Sequence, residues 1–323
     1  MLAAVDHRKH LLGLDSIDRS RLVSLLERAR SFDDGTGRAV REGSHAKLLR
    51  GRNICNLFFE DSTRTRVSFS LAATNLGAGV IDLTAPGSSV AKGETIIDTA
   101  NVVEATGGDA LVIRAGAPGA AQSVAGHVGV PVINAGDGAH EHPTQGLLDI
   151  YALAAAHGRA DSFDLSGLTV AIVGDIISSR VARSDIFGMS ALGARVICVG
   201  PPTLAPPSLV SLGCAVSSDL DAVLGEVDGV QMLRLQFERH GGGSGPKVPP
   251  GVGSLREYRA LYSLTAERAT WMKPGAVVMH PGPVNRGLEL DGSVADAPNS
   301  IVLKQVAAGV LVRMAVLAEL LGG

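Results

Sequence analysis

Apolar and polar positions follow two rhythms along this chain. Between Ser16 and Phe32, Leu22, Leu25, Leu26 and Ala29 recur at helical spacing and form one stripe, with Asp15 or Ser16 available as a cap. Asn53 to Phe59, NICNLFF, is instead a short apolar run bounded by polar residues, which predicts a buried strand. Val67, Leu71 and Leu76 then sit on a helical pattern that stops at Gly77 and Gly79. The alternation continues with a strand at Gly79–Leu83, a helix at Thr95–Ala105, strands at Asp109–Arg114 and Val130–Asn134, and a helix at Leu147–Ala156. It starts again after Gly158, with strands at Leu168–Gly174, Arg195–Gly200, around Val216, Gly229–Leu235 and Ala276–His280. A long apolar helix, Ile301–Leu321, ends the pattern.

Strands and helices that alternate at these lengths imply parallel sheets covered on both faces. The expected fold class is therefore α/β, with two doubly wound domains that each carry a central parallel sheet. The domains are expected at residues 1–148 and 149–297, with a linker near 147–166. Residues 298–323 are expected to form a C-terminal helix that packs back on the first domain. No short-period repeat is present. The polar stretch 86–94 is expected to be a loop. The Gly- and Pro-rich stretch 240–254 excludes a regular element and predicts a mobile loop, which could act as a lid if it lay near the chemistry.

Composition changes this picture little. At 323 residues the chain is long for one core, and 46% hydrophobic content permits two. With 40 glycines and 3% aromatics, tightly packed α/β layers with many turns are expected. A formal net charge of -3 gives no case for nucleic-acid or membrane partners. No apolar run approaches the ~20 residues of a membrane span, and the first residues lack the apolar core of a secretory signal. A cytoplasmic location is the expectation. Cys55, Cys198 and Cys214 are scattered through apolar segments and fit buried free thiols. There is no CxxC, HExxH, Walker A, GxGxxG or GxSxG sequence. No metal or cofactor is therefore expected, and nucleotide binding or a hydrolase elbow loses support.

Candidate chemistry gathers where α/β sheets hold ligands, at the carboxyl ends of strands. Ser62-Thr63-Arg64-Thr65-Arg66 alternates hydroxyls with guanidinium groups at a strand-to-helix turn, with Ser62 placed as an N-cap. Helix N-termini favour anions, so added hydroxyl and Arg donors make a phosphate site there. Arg114 ends another strand, and His142 to Gln145, HPTQ, follows Asn134. Asp175 to Arg180, Arg234 with Gln236, and His280-Pro281-Gly282-Pro283 end strands of the second domain. Taken singly, a surface arginine or a satisfied loop histidine explains each of them. Independent surface residues have no reason to collect at strand ends, so the joint placement favours a site. Rich in cations, amides and imidazole and without a carboxylate pair, it suits an anionic ligand and charge stabilisation.

These stretches, FFEDSTRTRVSF, SSVAKGE, VIRAG, NAGDGAHEHPTQGLLDIYAL, VGDIISSR, MLRLQFER and HPGPVNRGLEL, come in the order of the carbamoyltransferases. The chain resembles the aspartate branch of that family most over residues 50–290, and Gln305-Gly309-Arg313 fits as well. The resemblance implies that carbamoyl phosphate and L-aspartate give N-carbamoyl-L-aspartate and phosphate, the committed step toward pyrimidines. It implies a carbamoyl phosphate-binding first domain and an aspartate-binding second domain. Ser62, Thr63, Arg64, Thr65 and Arg114 would hold the phosphate, and Thr65, Arg114 and His142 would polarise the carbonyl. Gln145 and the main-chain carbonyls of Gly282 and Pro283 would take the carbamoyl NH2. Arg180, Arg234 and Gln236 would grip the aspartate carboxylates. Ser88 and Lys92 would reach in from a neighbouring subunit, which makes the expected assembly at least a homotrimer with shared active sites. Regulatory chains and a dihydroorotase partner remain open.

The departures from the family pattern are Asp61 before the phosphate turn, Ala91 beside Lys92, and a longer glycine-rich loop at 241–245. The ornithine branch uses Ser-Met-Gly and His-Cys-Leu-Pro segments for a cationic substrate, and this chain has neither. A carbamoyltransferase for another acidic or ureido acceptor stays open, as does a non-catalytic carbamoyl phosphate-binding protein.

Overall fold

The computed structural model describes residues 6–84, 94–237 and 251–322. Ser88, Ala91, Lys92 and the glycine-rich 241–245 lie outside the described residues. The chain divides into two units. The first comprises Met1–Leu148 and Ala307–Gly323, the second Asp149–Val306.

In the first unit, α1 (Arg19–Ser31) precedes β1 (Asn53–Phe58), α2 (Thr63–Asn75), β2 (Gly79–Thr84), α3 (Ile96–Ala105), β3 (Ala110–Ala115), α4 (Ala120–Ala125), β4 (Val132–Asp137) and α5 (Pro143–Ala156). The four strands are all parallel, in the order β2-β1-β3-β4. The chain therefore runs one way from β1 to β2 and the other way to β3 and β4, and this reversal leaves a crevice at the carboxyl ends of β1 and β3.

The second unit holds β5 (Thr169–Val173), α6 (Arg180–Ala191), β6 (Arg195–Val199), β7 (Ala215–Ser217), α7 (Asp221–Leu224), β8 (Gly229–Met232), α8 (Leu255–Tyr262), α9 (Ala266–Ala269), β9 (Val277–Met279) and α10 (Gly292–Ala295). Its parallel order is β7-β6-β5-β8-β9, so the reversal falls between β5 and β8. α11 (Val302–Leu321) begins in the second unit and continues in the first. The unit boundaries fall inside α5 and α11 rather than in loops, and the second unit runs on to Val306.

Several local expectations shift. The cap of α1 is Asp18, whose carboxylate accepts from Arg21 N–H, and neither Asp15 nor Ser16 serves. The stripe itself is as expected, with Leu22, Leu25, Leu26 and Ala29 buried. On α2 the buried side is Thr65, Phe69, Ala72 and Ala73, while Val67 and Leu71 are each about half exposed. β2 is a largely exposed edge strand that leaves Ile81 in solvent. α5 starts at Pro143, four residues earlier than its apolar pattern, because proline suits the first helical position. The three cysteines are buried free thiols, and burial pushes the Cys55 thiol up to about 11.

Candidate active site

The first unit builds its polar set around the β1/β3 reversal. β1 ends at Phe58, paired with Arg114 on β3. Ser62 occupies the N-cap of α2, but its hydroxyl makes no capping bond, contrary to the expectation. The first N–H groups of α2 are thus left without that side-chain acceptor, the arrangement that favours an anion. Thr63 and Arg64 are exposed and Thr65 is buried. Arg114 keeps a side chain only 11% exposed, donates to Ala135 O at 3.0 Å, and stands 3.9 Å from the Glu60 carboxylate. Glu60 escaped the sequence reading, although it directly precedes the turn.

His142 and Gln145 lie at the start of α5, where the His142 carbonyl accepts from Gln145 N–H at 2.9 Å. Both are buried. The loop before them is fixed by Asn134, whose amide donates to Leu12 O, Asp137 Oδ1 and Glu141 O. Asp137 accepts from Gly119 N–H and Glu141 N–H and holds His140 Nδ1 at 3.1 Å. Burial opposes ionisation of Asp137, yet His140 and the other donors hold its carboxyl below the usual range. The same bond raises the His140 pKa.

Asp15, His140 and Glu141 bring three potential metal-ligating atoms within 4.8 Å of one another, a trio that their separation in sequence concealed. The Glu141 carboxylate already accepts from Leu14 N–H at 2.7 Å and Asp15 N–H at 3.3 Å, and the charges of Glu141 and Asp15 add to the rise in the His140 pKa.

The second unit builds its set around the β5/β8 reversal. Gly174 follows β5 with φ +131°, and a Cβ there would lie 2.7 Å from the Leu233 carbonyl, so glycine is required. Ser179 caps α6 through Ala182 N–H, which puts a buried Arg180 at its first position. β8 stops at Met232, so Arg234 and Gln236 follow the strand rather than end it. The Gln236 amide donates to Ser178 O at 3.1 Å, tying this segment to the one before Arg180. After β9, the fully buried His280 accepts from Gly282 N–H on Nδ1 at 2.8 Å. Its Nε2 therefore carries the proton and donates to Glu289 Oε1 at 3.2 Å. Gly282 and Pro283 are thereby held beside the end of the strand.

Each sheet thus places cationic and amide groups at its own reversal point, a geometry that holds small anions. A family model described as the carbamoyl-P binding domain of aspartate/ornithine carbamoyltransferase matches residues 9–155, and one for the Asp/Orn binding domain matches 166–320. The chain belongs to the aspartate/ornithine carbamoyltransferase family and is a carbamoyltransferase. It is 51% identical to the aspartate carbamoyltransferase catalytic subunit of Myxococcus xanthus, over 96% of this chain and 98% of that protein. With the corresponding subunit of Thermobifida fusca it shares 49% identity over 98% of this chain and 96% of that one. The crystal structure of Trypanosoma cruzi aspartate transcarbamoylase in complex with aspartate and phosphate matches with a TM-score of 0.81 at 28% identity, covering 99% of this chain and 98% of that one.

Proposed function

We infer that this chain transfers the carbamoyl group of carbamoyl phosphate to the amine of L-aspartate, giving N-carbamoyl-L-aspartate and phosphate. The observation that carries this reading is the buried Arg180 and its companion Arg234 at the reversal point of the second sheet. Two guanidinium groups suit a dicarboxylate and repel a diamino acid.

In this reading Ser62, Thr63, Arg64, Thr65 and Arg114 bind the phosphate. Thr65, Arg114 and His142 polarise the carbonyl, while Gln145 and the carbonyls of Gly282 and Pro283 accept from the carbamoyl NH2. Arg180, Arg234 and Gln236 hold the acceptor so that its amine faces the carbonyl carbon. A C–N bond forms, the bond between the carbonyl carbon and the bridging phosphate oxygen breaks, and phosphate leaves with its charge neutralised, taking up the proton that the amine releases. No covalent enzyme intermediate is needed, because carbamoyl phosphate carries its own leaving group. Alignment and charge stabilisation supply the catalysis.

The active assembly in this reading is a homotrimer, with Ser88 and Lys92 entering a neighbour's site. Its support is the apolar surface of Val67 and Leu71 on α2 and Ile81 on β2, large side chains left about half exposed. The enzyme acts in the cytoplasm at the committed step of pyrimidine synthesis.

The test is an assay of the purified protein with carbamoyl phosphate and either aspartate or ornithine. Equimolar N-carbamoylaspartate and phosphate are expected from aspartate, and nothing from ornithine. Turnover of ornithine, or binding of carbamoyl phosphate without product, overturns the reading.

A further inference from the structure

Four polar side chains meet in the interior of the second unit, away from the residues given roles above: Asp149 on α5, Asp185 on α6, Gln231 on β8 and Gln305 on α11. All are buried, three of them at 0% exposure and Gln305 at 1%. The Gln231 amide donates to Asp149 Oδ2 at 2.8 Å and to Asp185 Oδ2 at 3.2 Å. The Gln305 amide donates to Asp149 Oδ1 at 2.7 Å and lies 3.3 Å from Gln231 Oε1. On its other side, Gln305 Oε1 accepts from His280 N–H at 2.9 Å. Burial, then the neighbouring Asp149 charge, pushes the Asp185 carboxyl well above the usual carboxylate range. Asp149 accepts from both glutamine amides, one on each carboxylate oxygen.

Three members of this group also lead to a segment given a ligand role above. Asp185 lies five residues along α6 from Arg180, and Gln231 precedes Arg234 by three residues. Gln305 is bonded to the main chain of His280, the residue whose ring holds Gly282 N–H. Asp149 and Gln305 stand at the start and near the end of the unit, where the chain enters and leaves it. Buried polar groups that stabilised the fold alone would be expendable in favour of apolar ones. A network with every amide directed, and with a link to each of three segments, instead fixes their mutual register.

We propose that Asp149, Asp185, Gln231 and Gln305 form a buried clamp that positions Arg180, Arg234 and the His280–Pro283 turn for the acceptor substrate. These four are positioning residues and touch no substrate. The proposal rests on the acceptor role given to Arg180 and Arg234 under Proposed function, and the controls below separate the two.

The test compares Asp185→Asn with Asp185→Leu. Asparagine keeps an oxygen that can accept from the Gln231 amide as Asp185 Oδ2 does, whereas leucine fills the space and accepts nothing. Misplacing a positioned group by about 1 Å costs on the order of 100-fold in rate. Asp185→Leu should therefore lower kcat/KM for aspartate at least tenfold, mainly through KM, at a temperature where circular dichroism shows it folded. Carbamoyl phosphate affinity should stay within twofold. Asp185→Asn should restore kcat/KM to within threefold of the parent. If Asp185→Leu does not fold, Gln305→Met is read by the same criterion. Arg234→Ala is measured alongside. Loss of aspartate affinity in Arg234→Ala with none in a folded Asp185→Leu refutes the clamp and leaves the site reading intact. No loss in Arg234→Ala refutes the site reading itself. A folded Asp185→Leu with reduced melting temperature but parental KM, or an Asp185→Asn as impaired as the leucine variant, also overturns the proposal.

Discussion

At the scale of single residues, the first unit sets two histidines of different surroundings within a few positions. His140 is tied to Asp137, while His142, two residues on, is buried at the start of α5. Their substitutions should differ accordingly. On the role proposed for His142, replacing it by alanine removes one donor to the developing charge, an expected loss of about 3 kcal/mol or ~100-fold in kcat. Steady-state kinetics should show that loss with carbamoyl phosphate affinity changed only modestly.

Replacing His140 by glutamine should act on stability instead. Its folded pKa is raised above 6.5, chiefly through the hydrogen bond to Asp137. Its stabilising contribution is therefore complete below the unfolded value and disappears as pH rises through the folded one. Thermal melts of the parent should fall as pH rises above 6.5 by more than those of the glutamine variant. Equal slopes would contradict this. Asp137 works in the opposite sense, since its depressed pKa contributes stability that is lost only as pH falls through the acid range.

At the scale of elements, α2 joins a polar first turn to a packed interior. Phe69 is fully buried, and the Arg313 guanidinium of α11 lies 5.0 Å from its ring centroid while donating to Ser68 Oγ at 2.9 Å. Gly309 allows this approach, because a Cβ there would lie 2.6 Å from the Arg313 guanidinium and 3.4 Å from Ser68. Phe69→Ala should cost about 3–5 kcal/mol through the cavity it leaves, seen as a lowered urea midpoint. The elements themselves were legible because their signals are local. NICNLFF is mostly apolar, broken within by Asn56 alone, and Gly77 stops the helix after STRTR. What was hidden is relational. Val67 and Leu71 fit a helical stripe, but the stripe does not say which face packs inward, and Phe69 and Ala72 took that place. The start of α5 was missed because Pro143 looks like a breaker until it is placed at the first turn. STRTR, HPTQ and the arginines could be singled out because strand ends are readable from the chain. Glu60 beside Arg114, and the meeting of Asp149, Asp185, Gln231 and Gln305, depend on contacts between distant segments.

At the scale of the whole molecule, the exposed apolar side chains of the first unit bear on assembly. Val67, Leu71 and Ile81 would be costly to leave in water if the chain worked alone. The double variant Val67→Asp, Leu71→Asp should sediment as a folded monomer in analytical ultracentrifugation and lose activity, since Lys92 would then reach no neighbour. A trimeric double variant, or a fully active monomer, would refute the shared site.

The non-contiguous first unit has a further consequence, for synthesis. Leu311, Met314, Ala315 and Leu317, all with 0% exposure, belong to its interior but are translated after the entire second unit. A nascent chain cannot finish its amino-terminal half as that half leaves the ribosome, because part of its hydrophobic filling does not yet exist. The second unit can close first, and the earliest-made segment must wait, exposed to chaperones and proteases, until the final helix arrives.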